Sequence, residues 1–238
     1  MKKHFLFTLF ALSTLALAQV DVPPTPVPVA EPLGSYSQGT LLNGEAMPES
    51  GEGFVQLYRD TNRYYATRSI IQMIIDTAKE MNLKYPESDR MQLEEMSGPN
   101  GGDLDRHSSH ENGLDVDIQY YKLDRVEHNP QTAGTLYATP LVIRNKVSPN
   151  FDLERNWEFV KSLHRHGKVH RIFMDQKLKN ALCSYSRLRK DFLPNTEVLR
   201  SIRHVENHKD HLHVRLLCPL NARRCIPQED PPKGSGCP

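Results

Sequence analysis

No cysteine occurs before position 183, and the four present, Cys183, Cys218, Cys225 and Cys237, include no C-x-x-C pair. A cysteine-bound zinc knuckle needs that spacing, so this chemistry is excluded. Neither sign of charge is in excess, because 30 basic residues face 29 acidic ones. A partner held through its phosphates calls for a basic surplus, so nucleic acid is not an expected partner. Several hydrolytic signatures are missing too. There is no S-x-x-K and no G-x-S-x-G, and the pair His110, Glu111 has no second histidine at the spacing of H-E-x-x-H. An activated serine and a helix-borne zinc site are therefore both set aside. No internal repeat is present.

The one long apolar run, Phe5 to Leu17, lies in MKKHFLFTLFALSTLALAQV, behind Lys2 and Lys3 and ahead of an A-x-A site at Ala16 and Ala18. This is the pattern of a secretory signal peptide, residues 1–18, cleaved after Ala18. The run is too short for a good spanning helix, and no cysteine follows to carry a lipid, so no membrane span is expected after cleavage. Cleavage removes Lys2 and Lys3 and no acidic residue, leaving 28 basic against 29 acidic residues, a formal charge of −1. DVPPTPVPVAEP follows, and residues 19–33 are expected to be a flexible proline-rich spacer. A single domain is expected over residues 34–238.

Export favours disulfides. Four thiols allow three pairings. The short loop from Cys218 to Cys225 makes a natural pair, which leaves Cys183 to join Cys237 and tie down the tail PQEDPPKGSGCP.

Apolar residues Ile70, Ile71, Ile74, Ile75, Ala78 and Met81 recur at helical spacing and predict a core-packing helix over residues 67–82. ERNWEFVKSLHRHG predicts a second helix ending at Gly167, VHRIFM a strand, and QKLKNALCSYSRL a third helix. GFVQLYRDTNRYYA suggests short strands or irregular structure around aromatic anchors. Helices and strands mix without a β-α-β rhythm, so the fold class is α+β.

Chemistry concentrates in two alternating segments. In GLDVDI, Leu114, Val116 and Ile118 alternate with Asp115 and Asp117; in HLHVRL, Leu212, Val214 and Leu216 alternate with His211, His213 and Arg215. Strand geometry sends each set to its own face, giving one acidic face and one basic. Either segment alone would be an ordinary surface strand. Together, His110, Asp117 and His213 form an N, O, N donor set of the kind that holds zinc with one position open to water. A turn at Asn112 and Gly113 lets the chain after His110 fold into the strand carrying Asp117. His164, His166 and His170 surround a helix end and are expected to be solvated or capping.

HSSHENGLDVDI followed by HLHVRLLCP resembles the penicillin-insensitive murein endopeptidase family, within the zinc peptidases that include lysostaphin and the D-Ala-D-Ala metallopeptidases. GSYSQG, LYRDTNRYYA and the GSGC tail extend the likeness from Gly34 to Cys237. The resemblance implies that His110, Asp117 and His213 bind Zn2+ and that His211 is the general base. It implies that His208 assists the reaction, and gives His107 an active-site position of substrate-side or supporting type. Asp115 is expected to support the ligands or face the substrate. The implied architecture is a central antiparallel sheet carrying the zinc site, flanked by helices and irregular disulfide-tied segments.

The implied activity is hydrolysis of D-alanyl-meso-diaminopimelate cross-links between peptidoglycan peptides, in the periplasm and insensitive to penicillin. A zinc D,D-carboxypeptidase and a zinc-holding peptidoglycan-binding module without turnover are the alternatives. The chain departs from the family in two places. Thr40 stands where the family carries a further cysteine, so one N-terminal disulfide is missing, and Val205 replaces a bulky aromatic beside the site.

Overall fold

The computed structural model describes residues 28–131 and 138–238. The expected signal peptide and most of the expected spacer lie outside the described residues. The first half of the chain forms β1 (Glu31–Ser35), β2 (Gln38–Leu42), β3 (Glu45–Ala46), β4 (Ser50–Gly51), β5 (Phe54–Gln56), β6 (Tyr65–Ala66), α1 (Arg68–Lys84), β7 (Met91–Leu93) and β8 (Asp115–Gln119). The second half forms β9 (Val142–Ile143), β10 (Lys146–Val147), α2 (Leu153–His166), β11 (Val169–Met174), α3 (Gln176–Leu188), α4 (Thr196–Ser201), β12 (Ile202–His204) and β13 (His211–Leu216).

A seven-stranded sheet in the order β12-β11-β13-β8-β7-β5-β4 is the frame of the molecule. It is mixed, which corrects the antiparallel expectation. The strands at its centre, β11, β13, β8 and β7, are antiparallel, but β11 pairs with β12 and β5 with β7 in parallel. The reason is connectivity: α3 and α4 carry the chain from β11 to β12, and α1 carries it from β5 to β7. Such crossovers return a strand in the same direction. α4 is six residues long, too short to show a period, and was not foreseen.

The three longer helices lie where their apolar spacing predicts. Ile70, Ile74 and Ala78 of α1, Trp157, Val160 and Leu163 of α2, and Leu178 and Leu182 of α3 join Val116, Ile118, Leu212, Val214 and Leu216 in one core. The side chain of Asp152 caps α2 by accepting from Arg155 N, and that of Asp175 caps α3 by accepting from Lys177 N. Among the described residues no helix is long and apolar enough to cross a membrane.

Both disulfides form as the sequence suggests, Cys218 with Cys225 and Cys183 with Cys237. The second pins the C-terminal tail to α3. Strand pairing starts at Glu31, ahead of Gly34. β1 is held to the C-terminal segment by two backbone hydrogen bonds and an ion pair: Gly34 N donates to Arg224 O at 2.9 Å, Ile226 N donates to Gly34 O at 2.8 Å, and the Arg224 side chain pairs with Glu31.

Two of the expected solvated histidines are enclosed instead. His170 is buried, with Asp230 of the folded-back tail 3.5 Å from its Nε2. His164 Nε2 sits 2.7 Å from Ser201 Oγ on α4, and burial pushes its pKa down to about 4.

Gly113 takes φ +73° at the turn into β8, where an added Cβ would lie 2.8 Å from the Leu41 side chain and 3.2 Å from Thr67 N. Gly113→Ala should therefore cost about 2 kcal/mol or more, combining left-handed strain with overpacking, as a lower urea midpoint would show. A histidine depressed from an ordinary 6.5 stabilises the fold fully above that value and loses its contribution as pH falls towards 4. Wild type should accordingly lose more unfolding free energy than His164→Gln between pH 6.5 and pH 4, measured in chelator.

Candidate metal centre

The register between β8 and β13 sets Asp117 directly opposite His213 and Asp115 directly opposite Arg215. Directly opposed residues in an antiparallel pair share a face, with Cβ atoms about 5 Å apart. The two faces read from the sequence are thus one face. It is buried: Asp115, Asp117, His213 and Arg215 are each at most 6% exposed.

His110 arrives from the preceding loop in a left-handed conformation, φ 73°. Its backbone N donates to Asp115 Oδ2 at 3.1 Å. Asp115 also receives Arg215 through both oxygens, at 2.8 and 3.0 Å, and lies 3.0 Å from His213 Nε2. Burial raises the pKa of Asp115, but Arg215 and His213 outweigh it and hold the carboxyl well below the usual range. Asp115 ties the loop of His110 to the strand of His213 and turns the His213 ring so that Nδ1 faces Asp117.

Three donors converge. His213 Nδ1 is 3.1 Å from Asp117 Oδ1, His110 Nε2 is 3.3 Å from Asp117 Oδ2, and the two ring nitrogens are 3.2 Å apart. A tetrahedral ion with bonds of about 2.0 Å has donor-to-donor edges of about 3.3 Å, which the spacing of the two ring nitrogens matches, with one oxygen of the Asp117 carboxylate beside each ring. Asp117 Oδ1 is buried and has no hydrogen-bond partner, as a cation-facing oxygen would be. His107 joins the group, since His107, His110 and Asp117 place ligand atoms within 4.8 Å of one another. Its Nδ1 is 3.8 Å from Asp117 Oδ2, while its Nε2 bonds to Glu95. The residues present could hold a metal ion.

His211 and His208 stand beside the donors, with ring centroids 5.0 Å apart. His211 Nε2 is 4.0 Å from Asp117 Oδ1. Burial pushes the pKa of His211 down, but Asp117, Asp210 and Glu94 raise it to about 10, and a bound dication would oppose them. Burial and the nearby His211 charge instead push His208 down to about 4. His208 Nδ1 donates to Glu206 O at 2.7 Å, so its neutral ring offers only the Nε2 lone pair.

Sequence reasoning missed three carboxylates. Glu94 and Glu95 follow β7 and are buried; Asp210 precedes β13. Glu95 holds His107 and pairs with Arg63 at 3.3 Å. Glu94 is raised to about 7 by burial and lies 3.9 Å from His211 Nδ1. An EE pair directly after MQL, a short stretch with two large apolar residues, was the available signal, since charges at the end of a buried strand need a partner.

A buried His, Asp, His cluster thus lies beside a histidine pair on a mixed sheet backed by helices, a place where a metal ion could be held. The profile of penicillin-insensitive murein endopeptidases matches residues 32–238, and the chain belongs to that family of peptidases. It is 31% identical over 217 residues to the penicillin-insensitive murein endopeptidase of Haemophilus influenzae, covering 87% of this chain and 71% of the relative. Proteins of the same name from Klebsiella pneumoniae and Escherichia coli are each 29% identical, over 211 and 217 residues. Those alignments cover 87% and 89% of this chain and 74% and 76% of the relatives.

Asp115→Asn should weaken zinc binding about 10- to 100-fold in a competition titration on folded protein, because neither the His110 loop nor the His213 ring keeps its anchor.

Proposed function

We propose that this protein is a zinc-dependent murein endopeptidase that hydrolyses D-alanyl-meso-diaminopimelate cross-links. The observation that carries the proposal is the convergence of His110 Nε2 and His213 Nδ1 on each other and on the Asp117 carboxylate, one ring nitrogen against each of its oxygens, at 3.1 to 3.3 Å. Family membership supports the substrate class. These three residues would hold the ion, and His107 flanks it. A zinc ion there supplies Lewis-acid polarisation of the scissile carbonyl and lowers the pKa of water towards about 7.

The chain's own groups do the rest. His211 takes the proton from water through Nε2 and passes it to the leaving amine, a role worth about 10²- to 10⁴-fold. With Nδ1 donating to the Glu206 carbonyl, neutral His208 presents a lone pair at Nε2, which suits it to accept from water rather than to donate to an oxyanion. Asp115 and Arg215 keep the two ligand-bearing segments together without touching substrate. No serine is activated, which accounts for the expected insensitivity to β-lactams. Export by a signal peptide cleaved after Ala18 would put the enzyme in the periplasm, where its two disulfides would persist.

Purified protein of known metal content should convert cross-linked muropeptide dimers to monomers, and a chelator should stop it. Trimming of terminal D-alanine with dimers left intact would favour a carboxypeptidase, and stoichiometric zinc without turnover a binding module. His211→Ala should lower the dimer cleavage rate at least 100-fold while keeping one zinc per chain; unchanged hydrolysis would remove His211 from the mechanism.

A further inference from the structure

His211 is held by a group that no motif in the sequence marks. Its Nδ1 donates to Asp210 Oδ1 at 2.7 Å. Successive side chains on a strand point to opposite faces, so neighbours in sequence do not normally bond through their side chains. The contact forms here because β13 begins at His211 and Asp210 lies in the bend just before it.

That bend is pinned by its backbone. The carbonyl of His208 accepts from Tyr120 Oη and from Asp175 N, both at 3.1 Å, and the carbonyl of Lys209 accepts from Leu141 N at 2.6 Å. Asp210 is therefore presented to the imidazole by a fixed segment. A carboxylate oxygen can only accept, so the bond puts the proton on Nδ1 and leaves Nε2 facing Asp117. A second carboxylate competes for the same nitrogen, because Glu94 Oε2 lies 3.9 Å away. Glu94 is restrained by Gln119, whose Nε2 donates to Glu94 Oε1 at 2.9 Å. The shorter contact is the one that orients the ring.

We propose that Asp210 is a positioning residue for His211, fixing the ring orientation and tautomer that turn Nε2 towards the metal centre. This rests on the role of His211 in the proposed reaction, but the orientation can be read without activity. A carboxylate that aims a histidine base is a recurrent solution in hydrolysis, and losing it leaves the base present but wrongly presented.

The test uses zinc-loaded full-length mature protein labelled with 15N-histidine, and long-range 1H–15N correlations to assign the His211 tautomer at neutral pH. Wild type should show Nδ1–H, and Asp210→Ala should shift the ring towards Nε2–H or a mixture. On muropeptide dimers, Asp210→Ala should lower kcat about 10-fold or more, with KM and zinc content within about twofold of wild type. Asp210→Glu should recover part of the loss. In a His211→Ala background, Asp210→Ala should have no further effect, because residues acting as a unit are not additive.

An unchanged tautomer together with an unchanged kcat would overturn the proposal. So would an equal loss in the His211→Ala background, which would mark Asp210 as merely structural. A tautomer shift in a protein that leaves dimers intact would support the positioning and overturn the proposed reaction instead.

Discussion

The pairing of β8 with β13 is the constraint on which the rest depends. It juxtaposes two chain segments about 100 residues apart and, in the same register, sets Asp117 against His213 and Asp115 against Arg215. A slip of one residue in β13 would turn His213 and Arg215 to the helix-covered side, away from Asp117 and Asp115. The apolar residues between them, Val116, Ile118, Leu212, Val214 and Leu216, are buried under α1, α2 and α3, so the core itself resists that slip. Hydrophobic packing on one face thus fixes polar chemistry on the other.

The buried polar face survives because it is paired. Asp115 is the most connected of its members, with Arg215 on both oxygens, a backbone donor from His110 and the His213 ring nearby. A lone carboxylate at that depth would be strongly disfavoured, whereas one matched by a guanidinium can act as a rigid support. Asp117 differs in that one buried oxygen accepts no hydrogen bond and faces histidine nitrogens. One aspartate is satisfied by protein, and the next on the same face keeps an oxygen with no hydrogen bond. That contrast, which sequence spacing does not show, is what the proposed division into support and metal donor rests on.

Much of this was legible in the chain. Alternation in GLDVDI and HLHVRL identified both strands and which side chains share a face, because strand periodicity is local. Cysteine spacing suggested both disulfides, and apolar spacing located α1, α2 and α3. The parallel outer pairs were not legible, since strand direction follows from crossovers and not from local pattern. Nor were Glu94, Glu95 and Asp210, whose proximity to the histidines depends on strands far apart in sequence. His164 and His170 were misjudged for a related reason: α4 and the C-terminal tail fold over them.

The sequence by itself determined the ingredients: two alternating strands of opposite charge, the ordered set His110, Asp117, His211 and His213, a glycine turn between the first two, and cysteines able to fasten the tail. These follow from residue type and short-range period. Only the tertiary structure decided the division of labour among them. It bound Asp115 to Arg215 and left an oxygen of Asp117 without a hydrogen bond, brought His107 to within 3.8 Å of Asp117, and put a carboxylate on Nδ1 of His211. Those outcomes depend on distances of a few ångströms between segments that meet only when the sheet closes and water is excluded from its face.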